Sequence, residues 1–193
     1  ENGHRIAPLT HAYWGPEYSN DEIRNTLDKI GARYEVLDDP VAACVDDLVG
    51  QKTVGWFQGR MEYGPRALGN RSIIADPRSA GMKDRINTGI KYREEFRPFC
   101  PSVLYDRQDE YFEDTFDAPF MVVTFPVIDK VREKIPAVVH VDGTARIQSV
   151  QADTNPLYTR LIGEFAKASS VPMLINTSLN INEQPTVNAP LEA

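Results

Sequence analysis

Helix-start signals recur along this chain with short apolar runs between them, and that alternation confines the fold to mixed α/β layers. Ser19-Asn20-Asp21-Glu22 reads as a capping box, in which hydroxyl and carboxylate each reach a backbone N–H that the first turn leaves unpaired. It opens a helix to about Ile30, with Ile23, Leu27 and Ile30 on one face and Gly31 closing it. Asp39-Pro40 supplies an N-cap and a first-turn proline; Val41, Val45, Leu48 and Val49 form the stripe that follows, and Gly50 ends it. Lys52–Phe57 is strand-like and Ser79–Ile90 helical. Pro119–Val127 and Pro136–Val141 read as strands, the second turning at Asp142-Gly143 into a return strand over Ala145–Val150. Asn155-Pro156 caps a last helix with Leu157, Leu161, Ile162 and Phe165 on one face. Val171–Ile175 is a buried strand leading into Asn176-Thr177-Ser178. The expected architecture is a twisted mixed sheet with flanking helices.

With 193 residues, 41% hydrophobic and 25% charged, the chain can bury a full core without staples. Cys44 and Cys100 lie far apart, with no C-x-x-C and no histidine at zinc spacing, so a disulfide framework is excluded. Two packed thiols in a reducing compartment are expected. No apolar run approaches the ~20 residues of a membrane span and no signal peptide opens the chain, which points to the cytoplasm and away from a membrane. A net charge of −7 argues against a nucleic-acid surface. That total hides an uneven distribution. Residues 60–107 carry ten cations against six anions, leaving −11 for everything else. Such an arginine-rich third suits either a solvated, ion-paired face or an anion site.

Four segments carry chemistry. Gly55–Arg78 reads GWFQGRMEYGPRALGNRSIIADPR: a strand, then a loop whose glycines at 59, 64 and 69 interleave with Arg60, Arg66 and Arg71. Glycines permit close backbone approach and arginines offer forked donors, so the loop could hold phosphate or be an ordinary turn with surface arginines. In Ile90–Phe99, an extended backbone would set Lys91, Arg93, Glu95 and Arg97 on one face, suited to a phosphorylated substrate; alternatively Glu94 and Glu95 pair with the arginines structurally. His140–Gln148 places Arg146 just inside a strand, while His140 lacks a metal-spaced partner and reads as a hydrogen-bonded structural histidine. Asn176-Thr177-Ser178-Leu179-Asn180 sets short polar groups at a strand's carboxyl end, a common ligand position in α/β proteins, or simply forms a self-satisfied turn.

In this order, GRMEYGPRALGNRSI, IKYREEFRPF, HVDGTARIQ and NTSLN resemble the C-terminal region of the O-carbamoyltransferase family, which includes enzymes that carbamoylate nodulation factors and antibiotics. The similarity runs from Gly15-Pro16-Glu17 to about Pro190. It implies a YrdC-like α/β domain over 16–193 that activates carbamoyl phosphate with ATP, forming a carbamoyl-adenylate and releasing pyrophosphate. It also implies a separate actin-like N-terminal domain, carrying its own metal, that transfers the carbamoyl group to a hydroxyl. A start at Glu1 rather than Met and a stop inside an apparent helix start suggest a cut-out piece, with 1–15 (His4, His11 and Trp14 among them) a remnant of that neighbour and the C-terminus truncated.

By the same resemblance Lys91, Arg97 and Arg146 bind the carbamoyl phosphate oxyanions as the catalytic set. Arg66 serves the nucleotide phosphates, Arg93 completes a K-x-R signature, and Ser178 and Asn180 lie near the nucleotide. Mg²⁺ is expected on the ATP rather than in a protein cage, and no acid or base residue is nominated. Departures from the family pattern fall at Cys100, where alanine is usual, at Leu179 for phenylalanine and at Asn182 for glycine. The alternative function is a non-catalytic module binding nucleotide or carbamoyl phosphate and regulating a partner domain.

Overall fold

Capping side chains decide where the helices begin. The computed structural model describes residues 8–94, 97–181 and 184–193, so His4, Glu95 and Asn182 lie outside the described residues. Helix α1 (Asn20–Lys29) starts at the expected box: Glu22 Oε2 accepts from Ser19 N at 2.7 Å and Ser19 Oγ from Glu22 N at 3.3 Å. None of its residues is buried, and Ile30 is over half exposed, so its apolar face stays outside the core. Helix α2 (Pro40–Val49) is capped by Asp39, whose Oδ1 accepts from the amides of Val41 and Ala42. It buries Val41, Cys44, Val45 and Leu48, while Val49 of the expected stripe faces outward. A short α3 (Gly81–Ile86) precedes α4 (Pro156–Ser169), which Asn155 caps by accepting from Tyr158 N. Tyr158, Leu161, Ile162 and Phe165 are fully buried and Leu157 is not. Helices α2 and α4 pack on each other and against the sheet. Each large apolar side chain buried this way contributes about 1.5–3 kcal/mol.

The main sheet has five strands in the order β1 (Val54–Phe57), β2 (Arg71–Ala75), β7 (Met173–Ser178), β3 (Cys100–Leu104) and β6 (Gln148–Val150). Neighbours run antiparallel except β3 and β6, which are parallel. A separate two-stranded sheet pairs β4 (Thr124–Pro126) with β5 (Thr144–Arg146). This is the mixed α/β architecture that the sequence predicts.

Several segments differ from expectation. Strands β2 and β3 were not distinguished because every one of their residues is buried, which removes the alternation that marks a half-buried strand. Pro119–Val127 is strand only over Thr124–Pro126. Pro136–Val141 is not a strand: Pro136–Val138 forms a 3₁₀ turn, since a proline at its start has no N–H to give a ladder. The Asp142-Gly143 turn does form, with Gly143 N donating to His140 O at 2.9 Å and Gly143 at φ +80°. Its return segment splits. Thr144–Arg146 joins the small sheet and Gln148–Val150 the main one, with fully buried Ile147 between them. The last strand begins two residues later than read and runs on through Ser178.

Register gathers the chemistry at one sheet edge. Cys100 sits across from Asn176, Ser72 from Ser178, and Ser102 from Gln148. The starts of β2, β3 and β6 and the end of β7 therefore share that edge, and Arg146 lies two residues before Gln148.

Candidate functional site

The glycine–arginine loop is shaped by a carboxylate. Glu62, only 5% exposed, accepts on Oε1 from the amides of Leu68 (2.6 Å), Asn70 (2.8 Å) and Arg71 (3.3 Å). Gly69 adopts φ +106°, and a Cβ there would meet the Tyr158 ring at 2.3 Å, so only glycine lets the loop close onto α4. The loop's arginines then part company. Arg71 is wholly buried: its guanidinium donates to the carbonyls of Gln58, Gly59, Asn70 and Pro16 and stacks 3.6 Å over the Phe57 ring. Arg60 donates to Trp14 O on the surface. Of the three, Arg66 alone lines the cavity at the sheet edge.

Lys91 and its neighbours do not form an extended face. Residues Asn87–Lys91 make a π-turn at the end of α3, and Tyr92 follows at φ +45°, a left-handed residue. The wider turn swings Lys91 inward. Its Nζ, on a residue 5% exposed, donates to Ser178 O (2.6 Å), Asn180 O (2.9 Å) and Asn180 Oδ1 (2.6 Å), with Ser178 Oγ at 3.3 Å. Burial, then the nearby Arg93 charge, pushes the Lys91 ammonium down to about 8. Ser178 Oγ in turn donates to Asn180 Oδ1 at 2.6 Å.

Arg93 turns the other way. Its Nε donates to Asn87 Oδ1 at 2.7 Å and its guanidinium lies 4.8 Å over the Phe99 ring. Burial first, then Arg97, lowers its affinity for a proton. Arg97 pairs with Glu94 at 2.9 Å and is half exposed. Arg146 directs Nε and one terminal nitrogen at Cys100 Sγ, at 3.2 and 3.1 Å. His140 bonds Thr144 Oγ1 through Nδ1, the structural role expected, and burial lowers its pKa.

These side chains line two adjoining cavities. An inner chamber of about 130 Å³ is walled by Arg66, Arg93, Arg146, Cys100, Met121 and Asn176–Ser178, among others. An outer one of about 340 Å³ takes in Lys91, Arg93, Arg97, Ser178 and Asn180. Arg93, Thr177 and Ser178 belong to both. All seven residues that the resemblance assigns to the site thus meet in one cleft, with five cations against the single carboxylate of Glu94 among its described lining. Among the described residues no ion pair engages Arg66, Arg93 or Arg146. Forked donors with no carboxylate opposite are suited to oxyanions. No group of three or more His, Cys, Asp or Glu among the described residues is placed to hold a metal ion, and no described helix is long and apolar enough to cross a membrane.

Two contributors, Asn87 and Cys100, were missed, while Asn176 lies in the segment already read as a ligand position. Asn87, completely buried, accepts from Arg93 and donates Nδ2 to Arg97 O. A lone amide on the apolar side of a helix was its only signal. Asn176 and Cys100 face each other across β7 and β3 and line the inner chamber.

Known proteins similar to this chain share one family. The Carbamoyltransferase C-terminus family model matches residues 45–193. Nodulation protein NolNO of Sinorhizobium fredii is 44% identical over 191 residues, which cover 96% of this chain and 28% of that protein. Nodulation protein NolO of Bradyrhizobium diazoefficiens is 42% identical, covering 96% and 35%. The 3′-hydroxymethylcephem-O-carbamoyltransferase of Streptomyces clavuligerus is 38% identical, covering 92% and 33%. The chain spans about a third of the length of these relatives.

Proposed function

The chain belongs to the Carbamoyltransferase C-terminus family, and from that membership we propose that it is the carbamoyl-activating part, residues 16–193, of a cytoplasmic O-carbamoyltransferase. In this reading its cleft binds carbamoyl phosphate and ATP and yields a carbamoyl-adenylate. A separate actin-like N-terminal domain passes the carbamoyl group to a hydroxyl acceptor. The observation that carries the proposal is the convergence of Arg66, Arg93 and Arg146, none ion-paired among the described residues, in a chamber beside Lys91, Ser178 and Asn180.

The chemistry asks mainly for charge stabilisation. Water releases phosphate from carbamoyl phosphate to leave carbamate; a carbamate oxygen then bonds the α-phosphorus of ATP while pyrophosphate departs. The first step releases a proton to solvent, and the carbamate that then attacks ATP is already anionic, so in that second step positioning and neutralisation are the protein's tasks. The inner arginines hold the small carbamoyl-bearing anion away from bulk water. The outer cavity, with Lys91, Arg97, Ser178 and Asn180, takes the nucleotide phosphates, which exchanges the roles that the resemblance implies for Lys91 and Arg97 on one side and Arg66 on the other. Mg²⁺ arrives with the ATP, since the lining offers cationic donors rather than a carboxylate cage. Lys91 must trade one loop oxygen for a phosphate oxygen to join them, because four oxygens already compete for its three N–H groups.

Pyrophosphate release from ATP, Mg²⁺ and carbamoyl phosphate tests the proposal. Release that requires all three components, and that falls at least tenfold in Arg146→Ala, is expected. Calorimetric binding of ATP without release overturns the activation claim and favours a regulatory nucleotide- or carbamoyl-phosphate-binding module, the reading to which the prior engagement of Lys91 would be suited.

A further inference from the structure

The two cysteines of the chain occupy opposite environments. Cys44 lies on the inner face of α2 among Val41, Val45 and Leu48, and burial pushes its thiol up to about 12. Cys100 is also buried, at 4% exposure, but its side chain helps to wall the inner chamber. Two guanidinium nitrogens of Arg146 converge on its sulfur, at 3.1 and 3.2 Å, so the sulfur sits against one of the three cations that define that chamber. Directly across the sheet is Asn176, 2% exposed, whose Oδ1 has no hydrogen-bond partner although the residue lines the same space. That buried amide oxygen is an acceptor, so it calls for an N–H or O–H on an occupant, beside arginines that have no ion pair among the described residues. The chamber is small, about 130 Å³, and shares Arg93, Thr177 and Ser178 with the open outer cavity, which gives small solutes a way in.

We propose that Cys100 is a covalent modification site for small thiol-directed electrophiles, and that an adduct on its sulfur and a bound oxyanion exclude each other. This rests on reading the cleft as an oxyanion site. Any group added to the sulfur grows into the chamber and displaces the Arg146 guanidinium from its present seat. An oxyanion held by Arg66, Arg93 and Arg146 covers the sulfur in return. With iodoacetamide, the sulfur forms a bond to the methylene carbon, iodide leaves, and the thiol proton passes to buffer. The result is a neutral thioether ending in an amide, too large to share the chamber with phosphate.

The test is peptide mass spectrometry of the folded chain after timed iodoacetamide exposure, with and without inorganic pyrophosphate, whose two phosphoryl groups can extend from the outer cavity past the shared Arg93 into the inner chamber. Cys100 should be labelled while Cys44 remains unmodified. Pyrophosphate at ten times its Kd should slow Cys100 labelling about tenfold. Fully labelled protein should lose measurable pyrophosphate binding by calorimetry, whereas reagent-treated and untreated Cys100→Ser or Cys100→Ala should bind alike. Three results overturn the proposal: Cys100 resisting label in the folded chain, labelling at a rate that bound pyrophosphate leaves unchanged, or labelled protein binding as untreated protein does. Pyrophosphate failing to bind the untreated chain at all would instead bring down the reading of the cleft, and this proposal with it.

Discussion

Arg66 and Arg71 stand five residues apart in one loop and have opposite fates. Arg71 is entombed beneath the loop and holds four carbonyls, while Arg66 reaches the inner chamber with no ion pair among the described residues. Arg66→Ala should therefore leave thermal stability nearly unchanged but weaken pyrophosphate binding about 10- to 100-fold, the loss of a charged hydrogen bond. Arg71→Ala should cost about 3 kcal/mol or more of stability, measured by urea unfolding, because it removes a fully buried side chain together with its hydrogen bonds to four carbonyls and its seat on the Phe57 ring. Lys91 gives a pH signature with two signs. Its folded value of about 8 lies below the ordinary 10.5, so between those values the unfolded chain holds the proton that the folded chain has released. Stability from this group thus rises as pH climbs from 8 to 10.5. Anion binding wants the charged ammonium and should weaken as pH rises through 8, by up to about tenfold per unit, relative to a Lys91→Met variant that lacks the step. Calorimetry across pH 7–10 reads it. The sequence displayed these cations but not which of them face inward, because Glu62 and a π-turn decide that. A buried carboxylate reaching three amides leaves no periodic trace.

Caps illustrate what is legible at the scale of an element. Ser19, Asp39 and Asn155 act on amides two or three residues away, so local sequence suffices to find them. Their importance for stability is not local. Asn155 is 4% exposed and also joins Gln58 and Asn70, whereas α1 buries none of its residues. Asn155→Ala should cost about 2 kcal/mol, lowering Tm by roughly 4–8 °C in a chain of this size. Ser19→Ala should leave Tm unchanged and merely speed amide hydrogen exchange across residues 20–29. Strands β2 and β3 were illegible for the converse reason: buried on every side, their residues lose the two-residue rhythm. The π-turn of Asn87–Lys91 was hidden too, since a helix widened by one residue has the composition of an ordinary one.

Across the whole molecule, the net charge of −7 proves a poor guide to the cleft, whose described lining has five cations and one carboxylate. The motifs anticipated that concentration through the resemblance they carry, since of the three arginines among the loop glycines only Arg66 lines the cleft; the sheet edge that unites them needed tertiary structure. That edge is not one sheet. In passing from Arg146 to Gln148 the chain leaves the small sheet for the large one, with Ile147 alone between them. Arg146 therefore belongs to one hydrogen-bonded body, and Cys100 and Asn176 to another. An anion gripped by Arg146 and Arg66 acts as a rivet through the two plates. Pyrophosphate at 100 times its Kd should slow amide exchange in β4 and β5 by up to about 100-fold, where opening separates the plates. Exchange slowed equally everywhere, or not at all, would mean that the plates move as one. If they part, any force that peels the small sheet away empties the cleft in the same motion that draws Phe125 and Ala145 out of the core.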